Sequence, residues 1–474
     1  MMPWTMHDIL KATGAERVCG DGRQSFTGIS IDSRTIAAGE LFVAIRGDVH
    51  DGHRFIPDVL GRGVRGLLVD SRHLDALPEA ARAAGRLACA AVADTTRALG
   101  DLGAFHRHRS RAAVVAVTGS NGKTSTRRMI AAVVSQRFRV LEADRNLNNQ
   151  IGVPLTLFRL APEHEWVILE LGTNMPGEIA RLAHICAPEI GVITNIGPAH
   201  LEGLGSLEGV LAEKSALLSG LSAGGRAVLN ADDPRLRPLA QGPGRQALLF
   251  GLSADAAVRA ARVQETAAGL DFELMLPAET VRVHLNAHGR FMVQNALAAA
   301  AVGHLLGLTG AEIAAGLGRF APVAGRMQVS SLADGITLID DTYNANPASM
   351  EAALAVLDSL RSGGRSILVA GDMRELGDAA GRMHREIGRL AAGTGVGRLF
   401  ACGDLAAETA AGARSGGMAA ADIVVGARAD IEHALLEVLR PADRILVKGS
   451  RAMGMEHIVR AIQEWSNTRQ RQKE

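Results

Sequence analysis

A chain of 474 residues exceeds what one hydrophobic core commonly holds and predicts about three domains. Its formal net charge of +1, with 21% charged residues, excludes a dominating basic face for nucleic acid and an acidic tail, so any bound polyanion must be met locally. Aromatic residues make up only 3%, so the core rests on Ala, Leu, Val and Ile, which suits parallel sheets covered on both faces by Ala-rich helices.

The chain opens with "MMPWTMHDILKATGAE", which carries Asp8 and Lys11 where a signal peptide would need an apolar core. No apolar run approaches the ~20 residues that cross a bilayer, so a cytoplasmic protein with no membrane insertion is expected. Cys19, Cys89, Cys186 and Cys402 are scattered, without a CxxC pair or a His partner at zinc spacing, and read as reduced core thiols. Residues 1–93 form a first block with "GISIDSRTIAAGELFVAIRGDVHDGHRF" and a strand "GLLVD". It has no phosphate loop and is expected to hold part of a substrate.

From about residue 110 apolar runs alternate with turns and helices, as in "AAVVAVTG", "EWVILELG", "EIGVITNIG" and "RAVLNADD", the pattern of a doubly wound α/β sheet. Within it "VAVTGSNGKTSTRRMI" (115–130) places a strand, a glycine turn, Lys-Thr and a helix in order. The loop Gly119, Ser120, Asn121, Gly122 curls without Cβ clashes and aims backbone N–H groups and a helix N-terminus at one place, which attracts phosphate. Lys123 would reach the β/γ-phosphates and Thr124 would ligate Mg²⁺, although the usual G-x-x-x-x-G-K-[ST] loop has four residues between its glycines and this one has two. Glu170, at the end of "WVILELG", is expected to be a Mg²⁺ ligand, because a buried carboxylate needs a partner. His200, after "NIGPAH", reads as a cap or packing residue or as a metal ligand. Lys214 in "AEKS" reads as an exposed helix lysine, or as a lysine carbamylated into a metal-binding carboxylate.

Strand-like alternation in "GLDFELMLPAETVRVHL" then gives way to the Ala-rich "VQNALAAAAVGHLLG", and "FAPVAGRMQ" (320–328) reads as a linker with a hinge near residue 324. A second Rossmann-like alternation starts near residue 336. The expected domains are 1–93, 94–324 and 325–474, closing on a polar, mobile tail "TRQRQKE" (468–474).

"TGSNGKT", "NLNNQIGVPLTL", "LELGTNMPGEI", "NIGPAHLEGLGS", "AEKS", "VQNALAAAA", "AGRMQ", "DDTYNANPASM", "GDMRELG" and "KGSRAMGME" follow one another from residue 118 to 456. With them the chain resembles the Mur ligase family of ATP-dependent amide-forming enzymes, and "DSRTIAAGELFVAIRGDVHDGHRF" extends the resemblance over nearly the whole chain. The short phosphate loop is then the family's own variant. The resemblance implies the branch that joins D-alanyl-D-alanine to UDP-N-acetylmuramoyl-tripeptide through an acyl phosphate, with ATP and two Mg²⁺ ions, the second held by His200 and carbamylated Lys214. It further implies Asn295 at adenine, Arg326 reaching ATP from the domain boundary, Asp341 at the ribose, and Asn148 and Asn149 in an asparagine turn at the substrate. Ser33 and Arg34 would meet the uridine diphosphate, with His53 packing beside them. Tyr343, Asn344, Asn346, Lys448 and Arg451 are the candidates for the dipeptide. A monomer that is open when empty and closes on ATP and the sugar-peptide is expected. A sister Mur ligase or a folylpolyglutamate-type ligase is the alternative within the fold, although no Asp-x-x-Arg pocket follows "DDTYNANP". A nucleotide-dependent switch is the alternative from another class.

Overall fold

The computed structural model describes residues 3–471 except 48–49, 80–84, 86, 145, 243–245, 267 and 361–362. It is α/β throughout, and its three large sheets have five, nine and six strands. The five-stranded sheet runs in the order Glu16–Cys19, Ala88–Val92, Gly66–Asp70, Leu41–Val43, Ile29–Ser30, parallel apart from the first pair. The helix Thr95–Arg109 leaves it, capped by the Asp94 carboxylate, which accepts from the N–H groups of Thr96 and Arg97. Ala98, Leu99 and Leu102 of this helix join the core of the N-terminal sheet.

In the nine-stranded sheet Ala113–Thr118 lies between Ile190–Ile193 and Trp166–Glu170. Val114 and Ala116 enter one core, with Ile179 and Leu182 of the helix Glu178–Cys186 and Val210 and Leu217 of the helix Leu207–Ser219. Val115 and Val117 enter the other, with the helix Lys123–Val134 and the Ala-rich helix Phe291–Leu305. Burial on both faces is why these strands read as unbroken apolar runs. The alternating segments form the antiparallel strands Gly269–Met275 and Thr280–Leu285 at the sheet's edge. A Cβ on Gly316 would lie 2.5 Å from Val133 Cα, so glycine lets its helix seat against the phosphate-loop helix.

The third sheet is parallel apart from its first strand, Gln328–Ser331, and includes Thr337–Asp341, Arg444–Lys448, Ser366–Gly371 and Arg398–Cys402. The helix Glu456–Arg471 buries Ile458, Val459, Ile462 and Ser466 and runs on, exposed, into the polar tail as far as Arg471; residues 472–474 lie outside the described residues. Burial pushes the Cys186 thiol up to about 12 and Cys402 to about 11. Among the described residues no helix is long and apolar enough to cross a membrane.

Candidate active site

The phosphate loop springs from the carboxyl end of Ala113–Thr118, the edge where open α/β sheets bind ligands. Gly119 (φ +146°) and Gly122 (φ +80°) both require glycine: a Cβ would lie 1.9 Å from Thr194 Oγ1 and 2.3 Å from Asn295 Oδ1, respectively. Bonds from the segment after the next strand fix the loop. Asn195 Oδ1 accepts the Asn121 N–H at 2.9 Å, Thr194 Oγ1 donates to the Asn121 carbonyl at 2.6 Å, and Ser120 Oγ donates to the Gly197 carbonyl at 2.9 Å. The helix Lys123–Val134 begins without a side-chain cap, so its first N–H groups are left for an anion. Lys123 Nζ folds back to donate to the carbonyls of Gly119 at 2.8 Å and Ser120 at 3.4 Å, and burial lowers its pKa against the pull of Glu170.

Glu170 is buried at the end of its strand and accepts from Thr124 Oγ1 at 2.7 Å and Asn148 Nδ2 at 2.8 Å. Burial raises its pKa, but the charges of Lys123 and Arg326 and those two hydrogen bonds reverse the shift, and the carboxyl ends below its ordinary value. The asparagine turn therefore divides its work: Asn148 orients Glu170, while Asn149 Oδ1 accepts the N–H groups of Ile151 and Gly152 where a short helix begins. Thr124 and Glu170 present adjacent hard oxygens, a donor set that fits Mg²⁺ shared with phosphate oxygens. For a second ion the fit is poorer. His200 Nδ1 contacts Glu375 Oε2 at 2.5 Å, and among the described residues no group of three or more His, Cys, Asp and Glu is placed to hold a metal.

Lys214 is 1% exposed, which removes the reading of an exposed helix lysine. Burial, with the Lys123 charge added, brings its pKa down to about 7, so near neutral pH a large share of the amine is in the neutral form that carbamylation needs. Its neighbour Glu213 is spent on structure: it accepts from the N–H groups of Gly177 and Ile179, both at 2.7 Å, and from Thr173 Oγ1 at 3.1 Å.

The opposite wall comes from the third sheet. Asn346 caps the helix Pro347–Ser359 through Ser349 N–H at 2.9 Å, and its Nδ2 donates to Asn121 Oδ1 of the phosphate loop at 2.8 Å. Lys448, 1% exposed, is ion-paired with Asp341 and donates to the Asn344 carbonyl at 2.9 Å. Its charge is thus already engaged inside the wall. Arg326 lies between Gly325 (φ +73°) and Met327 (φ +50°), and its guanidinium stacks 3.9 Å from the Tyr343 ring centroid, with Arg451 6.0 Å away. Asn295 lines the cleft, with its Oδ1 accepting from Thr126 Oγ1 at 3.2 Å. The two walls enclose about 650 Å³.

Ser33 and Arg34 are not among the lining residues: Arg34 is exposed on the N-terminal domain and paired with Asp32 at 2.7 Å. His53 does pack, held between Asp51 at 2.7 Å and the Asp70 N–H at 3.0 Å. Sequence reasoning missed Thr194 and Asn195 under the loop, and Arg374 and Glu375 on the far wall; the quoted runs "ITNIG" and "GDMRELG" were the available signal.

Family models match in three consecutive stretches: "Mur ligase family, catalytic domain" over residues 25–107, "Mur ligase middle domain" over 117–303, and "Mur ligase, glutamate ligase domain" over 325–451. UDP-N-acetylmuramoyl-tripeptide–D-alanyl-D-alanine ligase of Escherichia coli (strain K12) is 39% identical over 92% of this chain and 93% of its own. A crystal structure of MurF from Acinetobacter baumannii superposes with a TM-score of 0.89 at 31% identity, covering 98% of this chain and 99% of that one. MurF from Thermotoga maritima, solved in complex with ADP, gives 0.82 at 25% identity over 93% and 98%. With a phosphate loop of the short form, an ionised carboxylate behind it and a second Rossmann-like wall facing both, the chain belongs to the Mur ligase family.

Proposed function

We propose that this chain is an ATP-dependent ligase that joins D-alanyl-D-alanine to UDP-N-acetylmuramoyl-tripeptide, giving the pentapeptide precursor of peptidoglycan. The observation that carries the reading is the single cleft in which Asn121 of the phosphate loop meets Asn346 of the C-terminal wall, so nucleotide and incoming amine share one cavity. In this reading residues 1–93 hold the nucleotide sugar with Ser33 and Arg34, residues 94–324 hold ATP, and residues 325–474 bring the dipeptide, in a cytoplasmic monomer.

A carboxylate cannot expel oxide, so it is first phosphorylated. The tripeptide carboxylate attacks the γ-phosphate to give an acyl phosphate and ADP; the dipeptide amine then attacks the acyl carbon and phosphate leaves. The first-turn N–H groups and Lys123, turned out from its own loop, hold the phosphates as charge moves onto them. Asn295 meets adenine, Asp341 the ribose, and Arg326 reaches the nucleotide from the hinge. Thr124 and Glu170 would hold Mg²⁺, with Asn148 keeping Glu170 turned to it; His200 and a carbamylated Lys214 would serve a second ion. When bound, Mg²⁺ neutralises charge between the attacking carboxylate and the phosphate. Tyr343, Asn344 and Arg451 face the dipeptide, while Lys448 and Asn346 shape that wall. Seating of the C-terminal domain keeps water from the acyl phosphate.

The test is phosphate release from ATP and Mg²⁺ with the nucleotide-sugar tripeptide and the dipeptide added singly and together, with mass spectrometry of the product. Release that needs both, and a product heavier by two alanyl residues, is expected. Release with ATP alone would point to a nucleotide switch, and addition of a single amino acid to a sister ligase.

A further inference from the structure

The turn "GDMRELG" carries a carboxylate that the chemistry above leaves unused. Glu375 has φ +64° and His200 has φ +56°, both in the left-handed region without being glycine, a conformation that persists only where the surroundings impose it. Here each is held by the other's segment. His200 Nδ1 lies 2.5 Å from Glu375 Oε2, and the Glu202 N–H donates to the Glu375 carbonyl at 3.2 Å. Both residues line the cleft, one from each domain.

A carboxylate on the wall facing a polyphosphate site repels its ligand unless something local consumes its charge. The His200 ring, 2.5 Å away, is the group that faces it. At 2.5 Å the contact is close enough to hold the ring by Nδ1, although its angle departs from that of a well-directed hydrogen bond. The ring's only polar contact among the described residues is at Nδ1, so Nε2 is left to the cleft. A carboxylate at one imidazole nitrogen fixes the ring's direction and raises the donor strength of the other.

We propose that Glu375 is a positioning residue for His200: it arrives with the C-terminal domain, holds Nδ1, and presents Nε2 to the cleft only while that domain is seated. Seating of the dipeptide wall and completion of the reactive centre are then one event. The inference rests on the reading that His200 serves that centre.

The test uses the full-length protein with ATP, MgCl₂, the nucleotide-sugar tripeptide and D-alanyl-D-alanine. Glu375→Gln is expected to lower kcat at least tenfold while KM for ATP and the sugar stays within about twofold, and Glu375→Asp to recover part of the loss. Combining Glu375→Gln with His200→Gln should cost no more than His200→Gln alone, because one acts through the other. In ¹⁵N-histidine spectra of the complex with ADP and the sugar-tripeptide, the His200 ring signals, assigned by their loss in His200→Gln, should move in Glu375→Gln. Unchanged kcat with unmoved His200 signals, or losses that multiply in the double variant, would overturn the proposal. Full turnover by His200→Gln would instead remove the reading beneath it.

Discussion

A lysine side chain enclosed at 1% exposure is an expense that the fold must carry, and Lys214 shows its size. Its pKa of about 7, against the ordinary 10.5, means the unfolded chain binds a proton there that the folded chain releases between those values. Wild-type stability therefore rises with pH from about 7 to 10.5, and the full penalty is present below about 7. Lys214→Met keeps the length and removes the charge. It should stabilise the protein by roughly 4 kcal/mol at and below neutral pH, with the gain shrinking to nothing towards pH 10.5. Urea titrations of both proteins in CO₂-free buffer at several pH values measure the difference. Parallel pH profiles would show that Lys214 titrates normally. The same variant should lose at least a hundredfold in turnover if the amine serves as a carbamate. A residue that costs stability and is needed for rate is placed there for chemistry.

At the scale of elements, the neighbouring Glu213 works for architecture. It sits on the helix Leu207–Ser219, yet bonds the N-terminus of another helix, Glu178–Cys186, and the loop leading to it. Thr173, Asn174 and Glu178 of that region line the cleft, so one buried carboxylate fixes one side of the site. Glu213→Ala leaves buried donors unpaired and should cost about 2–4 kcal/mol, with Glu213→Gln recovering part of it. Thermal unfolding checks this, and a midpoint within a degree of wild type would contradict it. Such a role was not legible in the sequence. The strands were, because burial on both faces makes each a short apolar run, and so was the phosphate loop, whose glycines, Lys123 and Thr124 are consecutive. Bonds between distant segments leave no such trace: Thr194 and Asn195 support a loop 73 and 74 residues earlier with types common in any turn. Cys19 and Cys89, scattered in the sequence, lie opposite each other on antiparallel strands for the same reason. The polar tail continues a helix whose four buried positions, Ile458, Val459, Ile462 and Ser466, all precede it. Nor could local sequence reveal that Lys448 and Asp341 satisfy each other within the C-terminal wall.

At the scale of the molecule, the polar contacts that tie the C-terminal domain across the cleft are few among the described residues, and include Asn346 to Asn121, His200 to Glu375, and the Glu202 N–H to the Glu375 carbonyl. A net ~0.5–1.5 kcal/mol for each hydrogen bond is a small total to set against the freedom of a whole domain, so ligands should decide how long the wall stays seated. The hinge supplies its own reporter. Tyr343 is the chain's sole tyrosine, and its ring is stacked by Arg326, whose backbone lies between two left-handed residues and whose Nε has no partner among the described residues. That unpaired donor beside the cleft is suited to a phosphate or ribose oxygen, and engaging it would draw the guanidinium along the ring. A protein made with labelled tyrosine gives one ring signal, expected to shift when a non-hydrolysable ATP analogue and the nucleotide-sugar tripeptide are both present, as X-ray scattering records a smaller radius of gyration. Arg326→Ala should abolish the ring shift and raise KM for ATP about tenfold, yet leave the unfolding midpoint nearly unchanged, since the residue is only half-buried. A Tyr343 signal that ignores both ligands, with scattering equally unchanged, would mean that the wall is fixed and that Arg326 serves packing alone.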